Sequence, residues 1–141
     1  LNNMGLTEVP GNHVNHFTRI GGVSIMREGW ASSGRFIDIT RFIDWLHARM
    51  QERLYSVLVS VEKVPFTDAG VALVQNAIEA QLAEGVAVGG LAADPAPLVS
   101  VPLVADVSSN DKALRLLPDI TFTATLAGAI HKIQIAGTVS V

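Results

Sequence analysis

Apolar residues recur with two different periods along this chain, and the longer period predicts two helices. Between Phe36 and Ser60 they return every three or four positions, which places them on one stripe of a long helix. That stripe consists of Ile39, Phe42, Ile43, Leu46, Met50, Leu54, Val57 and Val61. A second helix is predicted from Asp68 to Glu84, with Thr67 or Asp68 as its N-cap and Gly85 at its end.

The shorter period, an alternation of apolar and polar residues, predicts strands near both ends of the chain. Strands over 14–20 and 23–27 flank a Gly21-Gly22 turn. An edge strand containing proline is predicted over 98–104. A short helix over 111–117 follows a Ser-x-x-Asp capping signature and is expected to end at Pro118.

The chain closes on two alternating strands, 120–126 and 133–141, that carry almost no charge. Lys132 is the one permanently charged residue from position 120 onward. Gly128 lies where the turn of this hairpin is expected, and Gly137 indicates a bulge or a close backbone approach. Exposed strand edges usually carry charge, proline or a bulge that blocks unwanted pairing. The hairpin is therefore either covered by its own domain or paired with another chain, and the lack of charge favours the second alternative.

Together these elements predict an α+β fold with a small antiparallel or mixed sheet packed against two main helices and a C-terminal β-hairpin. A length of 141 residues fits one domain that buries about 68% of its unfolded surface. We expect residues 1–141 to form a single domain in which residues 1–13 are loosely ordered.

Composition narrows the classes of function. Charged residues make up 16% of the chain, against about 25% in average domains, so surface is left over for a partner. A net charge of −3 without a basic stripe argues against direct nucleic-acid binding. The most apolar stretch, 85–105, is interrupted by Asp94 and three prolines, which argues against a membrane span. The absence of cysteine excludes a disulfide scaffold and cysteine-based zinc sites.

The motifs of catalytic and cofactor sites are absent from the sequence. It contains no nucleophile elbow, no phosphate-binding loop and no dinucleotide-binding fingerprint. His13 and His16 lie three apart in a strand-like stretch, so their side chains point to opposite faces and no third ligand completes a metal site. His131 fits a structural histidine better than a general base. We expect no enzyme activity, no metal and no cofactor.

Three segments resemble the tail sheath proteins of phages with contractile tails. They are REGWASSGRFIDITRFIDWLHARMQERLYSVL, KVPFTDAGVALVQNAIEAQLAEGV and VADVSSNDKALRLLPDITFTATLAGAIHKIQIAGTVSV. The resemblance covers about residues 14–141, and its most specific part is the closing FTATLAGAIHKIQIAGTVSV. The segment before Val14 matches no part of the family.

The resemblance implies a mechanical function. Sheath subunits stack in rings around a tail tube, add terminal strands to the sheets of neighbouring subunits, and contract during DNA delivery. The implied partners are copies of the chain itself and the tube protein, without direct nucleic-acid contact or membrane insertion. The implied location is the virion tail, assembled in the bacterial host cytoplasm. Family members are longer, so this chain, which begins with Leu rather than Met, is expected to be a C-terminal portion.

The candidate subunit-interface residues come from two places in the pattern. Trp45 and Tyr55 lie off the apolar stripe of the long helix, where Trp45 either packs under a strand of its own domain or binds another subunit. The closing hairpin contributes Phe122, Ile133, Ile135, Val139 and Val141. Two alternatives remain: a small-molecule-binding or hydrolytic α+β domain that uses the loops at Trp30 and Gly89-Gly90, and another tail component such as a tube or baseplate protein.

Overall fold

The computed structural model describes residues 14–131 and 133–138. Its elements in chain order are β1 (His16–Ile20), β2 (Val23–Arg27), α1 (Ile37–Ser60), α2 (Asp68–Ala87), β3 (Leu98–Ser100), α3 (Ser109–Ala113) and β4 (Thr121–Thr123). One turn of 3₁₀ helix, Val104–Asp106, lies between β3 and α3. The two main helices and the small antiparallel sheets confirm the α+β class. Instead of one sheet, the described strands form two, β1–β2 and β3–β4.

The described residues fall into two compact units. The first, called the terminal unit below, contains the residues up to Arg41 and those from Gly128 onward. The second, the helical unit, runs from Phe42 to Ala127. The interpretation of the whole chain as a single domain stays a prediction.

The core of the helical unit lies between α1, α2 and the chain that follows α2. Leu82 and Ile78 of α2 are 1% and 4% exposed, and they form a buried cluster with Leu91. The partly buried side chains around this cluster are Phe42, Met50, Leu54, Val74, Val86, Val99, Ile120 and Ala124. Three of these come from the predicted stripe of α1, so the helical period correctly identified the buried side of that helix.

Helix α2 begins as predicted and ends later than predicted. The Thr67 side chain accepts a hydrogen bond from the Gly70 amide at 3.3 Å, which confirms Thr67 as the N-cap. The prediction that Gly85 ends the helix is wrong, because Gly85 lies inside it and lets Leu91 pack closely: a Cβ there would stand 2.9 Å from Leu91 Cδ1. The end is formed by Gly89, whose φ of 78° is the left-handed value of a Schellman motif.

Hydrogen bonds identify that motif. The Gly89 amide donates to the Val86 carbonyl at 2.9 Å, and the Gly90 amide donates to the Gly85 carbonyl at 3.1 Å. These are the two bonds that a Schellman ending requires. Gly90 then lies directly under the ring of Phe42, so the turn after α2 also packs against the core.

Helix α3 is shorter than the predicted 111–117. Ser108 caps it by accepting from the Asp111 amide at 3.1 Å, as the capping signature indicated. The helix ends at Ala113, because Arg115 takes a left-handed φ of 57° and the Leu116 amide donates to the Asp111 carbonyl at 2.9 Å. A local Schellman motif, rather than Pro118, therefore ends the helix.

The edge strand predicted over 98–104 is confirmed only over its first three residues, the β3 strand. The Val104 amide donates to Asp68 Oδ1 at 3.0 Å, and 3₁₀ helix begins at that residue. Strand β3 pairs with β4, with Val99 opposite Phe122.

The predicted closing hairpin is wrong for the described residues. Strand β4 pairs with β3, and the next residues pair with the loop after α2: the Ala92 amide donates to the Thr125 carbonyl and the Ala127 amide to the Gly90 carbonyl. Residues 133–138 have no strand conformation. The backbone of the expected first strand is thus engaged by partners within the helical unit.

A polar contact also joins α1 to α2. Arg53 Nε donates to Gln81 Oε1 at 3.0 Å, and Arg53 Nη2 donates to Glu84 Oε2 at 2.6 Å. Gln81 is 1% exposed. Because a buried amide without partners costs about 1–3 kcal/mol, the arginine offsets part of the cost of burying it.

Replacement of Gly90 by alanine tests the contact under Phe42. The added Cβ would overlap the Phe42 ring, and such overpacking costs about 1–3 kcal/mol. We expect a lower midpoint of urea unfolding. The control is Gly137→Ala, where nothing lies within 4 Å of the added atom and a change within about 0.5 kcal/mol is expected. Equal midpoints for the two variants would contradict the packing.

Candidate subunit interface

The first component of the candidate interface is the β1–β2 hairpin in the terminal unit. Gly21 and Gly22 have φ angles of 58° and 85°, the left-handed values that a type I′ turn needs at both central positions. The hairpin predicted from the Gly-Gly turn is therefore confirmed. Its register pairs Ile20 with Val23, Thr18 with Ile25 and Phe17 with Met26.

This hairpin exposes apolar side chains on both faces. Phe17 and Met26 share one face and are 71% and 65% exposed. Ile20 and Val23 share the other and are 53% and 61% exposed. A two-stranded sheet is only marginally stable by itself. Among the described residues β1 and β2 pair only with each other, so this sheet is suited to accept a further strand.

An aromatic cluster, Trp30, Phe36 and His131, lies at the base of the hairpin within the same unit. Asn15 fixes Trp30 through two hydrogen bonds of 2.6 Å, one to its amide and one to its carbonyl. Trp30 stacks on Phe36 with ring centroids 4.0 Å apart, and their backbones form an isolated bridge. His131 meets the Phe36 ring edge-on at 4.7 Å. The sequence pattern identifies His131 as a structural histidine but does not reveal this cluster.

The second component is the C-terminal segment, called the arm below and defined as residues 133–138. It contains no charged side chain. Ile133 and Ile135 are 79% and 91% exposed, and Ile130 just before the arm is 82% exposed. Fully burying one such side chain contributes about 1.5–3 kcal/mol. The arm therefore carries apolar surface that a partner could cover.

The other predicted interface residues occupy different environments. Tyr55 lies on α1 and is 68% exposed, and Phe122 of β4 is 47% exposed. Trp45 is half-buried, with its ring 5.5 Å from that of Phe42. Ile133 and Ile135 share the arm, whereas Val139 and Val141 lie outside the described residues. All of these assignments stay predictions.

Some exposed apolar residues were not predicted to be at an interface. They include Phe17 and Met26 of the hairpin and Leu58 and Val59 of α1, the last two 57% and 61% exposed. The signal for the hairpin was present in the sequence, since β2 has apolar residues at both odd and even positions, Val23, Ile25 and Met26. Leu58 and Val59 lie three and four residues after Tyr55 on α1, so all three share one helix face.

Polar contacts on the outward side of α1 are weak. Arg49 Nη1 and Glu52 Oε2 are 2.8 Å apart, and the hydrogen bond to Glu52 together with its negative charge raises the pKa of Arg49. Both side chains are exposed, and exposed pairs of this kind add little stability.

The loops proposed for a ligand site in the alternative interpretation are engaged in structural contacts. Gly89-Gly90 forms the ending of α2 under Phe42, and Trp30 lies in the aromatic cluster. One cleft in the helical unit, between Leu58, Val71, Val74, Arg115 and Leu117, has a volume of about 130 Å³. Small-molecule sites typically occupy about 300–1,000 Å³.

The described part of the chain has neither a candidate metal site nor a candidate membrane-spanning helix. Within 14–131 and 133–138, no group of three or more His, Cys, Asp or Glu side chains could hold a metal ion. In the same part of the chain, no helix has the length and apolar character needed to cross a membrane.

Comparison with known families supports this type of protein. Residues 37–95 match the family described as E217 tail sheath protein gp31-like, C-terminal domain. The predicted resemblance to a phage tail sheath protein is confirmed. The sheath match starts at the first residue of α1 and includes α2 and its Schellman ending. It covers less than half of the 141 residues of the chain. The arm and the hairpin lie outside the sheath match, and no curated protein matches the chain significantly.

The arm and the core should respond differently to substitution. Ile133→Ser/Ile135→Ser removes side chains that are already in solvent, so we expect the free energy of unfolding to change by less than about 0.5 kcal/mol. Leu82→Ala removes a side chain that is 1% exposed and should cost about 2–5 kcal/mol. Urea unfolding followed by circular dichroism measures both. A large loss in the arm variant would show that the arm packs within its own chain.

Proposed function

We propose that this chain is the C-terminal domain of a structural subunit of a phage or phage-like contractile tail sheath. The subunit assembles with copies of itself around the tail tube, and the assembly contracts during DNA delivery. The match over residues 37–95 supports the sheath role. The expected location is the virion tail, after assembly in the cytoplasm of the bacterial host, and the tube protein is the second partner.

The observation that carries this proposal is that an exposed apolar arm and a two-stranded sheet, which pairs with no other described strand, occur in the same unit. The arm has six residues and spans about 20 Å when extended. Strands β1 and β2 have five residues each, so the arm is long enough to pair along either of them. A chain that offers both components and pairs with a neighbour makes a heterologous contact, which continues into rings or helical assemblies.

The apolar pattern of the arm also suits the hairpin. In an extended arm Ile133 and Ile135 lie on one side, because successive side chains alternate. On the hairpin Ile20, Val23 and Ile25 share one face. Addition of the arm with its isoleucines on that face would extend an existing apolar surface, while main-chain hydrogen bonds supply affinity.

The energy of one such contact is small. Burial of Ile133 and Ile135 contributes about 3–6 kcal/mol, whereas ordering six backbone residues costs about 6–12 kcal/mol. Hydrogen bonds of about 0.5–1.5 kcal/mol each bring the two sides close to balance. A single added strand therefore binds weakly, and stable assembly requires many contacts at once. Such a lattice can rearrange during contraction without coming apart.

Electron microscopy of the full-length protein that carries these residues tests the proposal. The protein purified alone should form sleeves or tubes in negative stain at high concentration. Ile133→Ser/Ile135→Ser should abolish them, because the substitutions remove the apolar side of the added strand. The matched control, Gln134→Ser/Ala136→Ser, changes the opposite side of the same segment and should retain sleeves.

Two results would contradict the proposal. The first is a protein that stays monomeric at high concentration. The second is an Ile133→Ser/Ile135→Ser variant whose sleeves match those of the unsubstituted protein in width, length and yield.

A further inference from the structure

The chain just before the arm is held at the start of α1 by a hydrogen bond to Asp38 and a ring contact with Phe36. The Ala129 amide donates to Asp38 Oδ2 at 3.2 Å. A Cβ at Gly128 would stand 3.9 Å from Ile39 Cδ1, so the end of the Ile39 side chain lies near this part of the chain. His131 places its ring edge against Phe36. Residues 128–131 are therefore fixed, although Ile130 within them stays exposed.

The same cluster also holds the hairpin. Asn15 precedes β1 directly and binds the backbone of Trp30 on both sides, and Trp30 stacks on Phe36. The Ile37 amide, at the start of α1, donates to the Gly29 carbonyl at 2.7 Å. A continuous series of contacts thus runs from the start of the hairpin through Trp30 and Phe36 to His131. The two components that the proposed function pairs between subunits share one point of attachment within each subunit.

We propose that Phe36, His131 and Asp38 act as positioning residues that fix the start of the arm and thereby prepare it for strand addition to a neighbouring copy. This inference rests on the proposed function, since it assigns a role to the attachment of the arm. A segment that is fixed at one end has fewer conformations to lose when it pairs, and such preorganisation lowers the cost of binding. The favourable and unfavourable free energies of adding one strand nearly cancel. A small reduction in the entropy cost therefore decides whether the arm pairs with the neighbouring sheet.

The size of the effect follows from the contacts. An aromatic pair and an exposed hydrogen bond between a main-chain amide and a side chain are each equivalent to about a two- to tenfold change in an equilibrium constant. Loss of either contact should increase by that factor the population in which the start of the arm is detached. The protein concentration at which sleeves begin to form should rise by a similar factor. The cluster lies in the terminal unit, whereas the buried cluster of Ile78, Leu82 and Leu91 lies in the helical unit, so the helical core should be unaffected.

Two pairs of variants separate positioning from general stability. His131→Ala removes the aromatic edge, and His131→Phe restores a ring that can meet Phe36. Asp38→Ala removes the acceptor of the Ala129 amide, and Asp38→Asn keeps an oxygen there. We expect each alanine variant to raise the critical concentration for sleeve formation about two- to tenfold, and each conservative variant to return it toward the original value.

Limited trypsin digestion of the unassembled protein gives a second readout that does not depend on sleeves. Trypsin cleaves after Lys132, which directly follows His131. Cleavage requires local opening of the chain, and its rate follows the population of the open form. Release of the segment after Lys132, measured by mass spectrometry, should be about two- to tenfold faster in His131→Ala and Asp38→Ala than in His131→Phe and Asp38→Asn.

The outcomes distinguish the two proposals. Unchanged cleavage rates and critical concentrations in both alanine variants would overturn the positioning role, while sleeves that still depend on Ile133 and Ile135 would leave the sheath function standing. Faster cleavage in a protein that never forms sleeves would support the attachment of the arm and overturn its role in assembly. Faster cleavage with a raised critical concentration supports both.

Discussion

Main-chain hydrogen bonding at strand edges is the constraint on which this account depends. Backbone N–H and C=O groups are obligatory hydrogen-bonding groups, and a bare sheet edge pairs with an available strand. Within the described residues, β1 and β2 pair only with each other and the arm forms no strand. Neither segment carries the dense charge with which proteins usually protect such edges. Pairing between copies would satisfy both segments at once.

The two units suit different parts of the proposed mechanical role. The helical unit has a buried cluster around Leu82, a Schellman ending closed by Phe42, and the Arg53 contact between its helices. These features favour a body that keeps its shape. The terminal unit carries exposed apolar side chains on the hairpin and the arm, held at their bases by the aromatic cluster. An assembly in which the distance between subunits changes needs subunit bodies that stay rigid. It also needs contacts between subunits that persist during the change.

Local patterns in the sequence predicted the features that depend on neighbouring residues. The helical period of the apolar residues predicted α1 and the side of it that packs against the cluster of Leu82. The caps at Thr67 and Ser108 also occur as predicted. The Gly21-Gly22 turn predicted the first hairpin because its two left-handed residues allow only a few turn types. These elements require no knowledge of distant parts of the chain.

The wrong predictions concern contacts between distant residues. Glycine is common at helix ends, but Gly85 lies inside α2, where its missing side chain leaves room for Leu91. Only the packed structure reveals this contact. The alternation over 120–126 fits pairing with 133–141 and pairing with β3 equally well, and the structure shows the second. For the arm, the same alternation describes an internal strand or one donated to a neighbour. The sequence therefore predicted an uncharged apolar segment that is suited to an interface. It did not predict that the β1–β2 hairpin could accept this segment, nor that the aromatic cluster lies at the base of the hairpin.

Electron cryomicroscopy of the assembled sleeve, at a resolution that traces individual strands, tests the central claim most directly. We expect residues 133–138 of each subunit to form a strand hydrogen-bonded to the β1–β2 hairpin of an adjacent subunit, with Ile133 and Ile135 on the same face as Ile20 and Val23. A sleeve in which residues 133–138 fold back onto their own chain, or lie away from every hairpin, would contradict it.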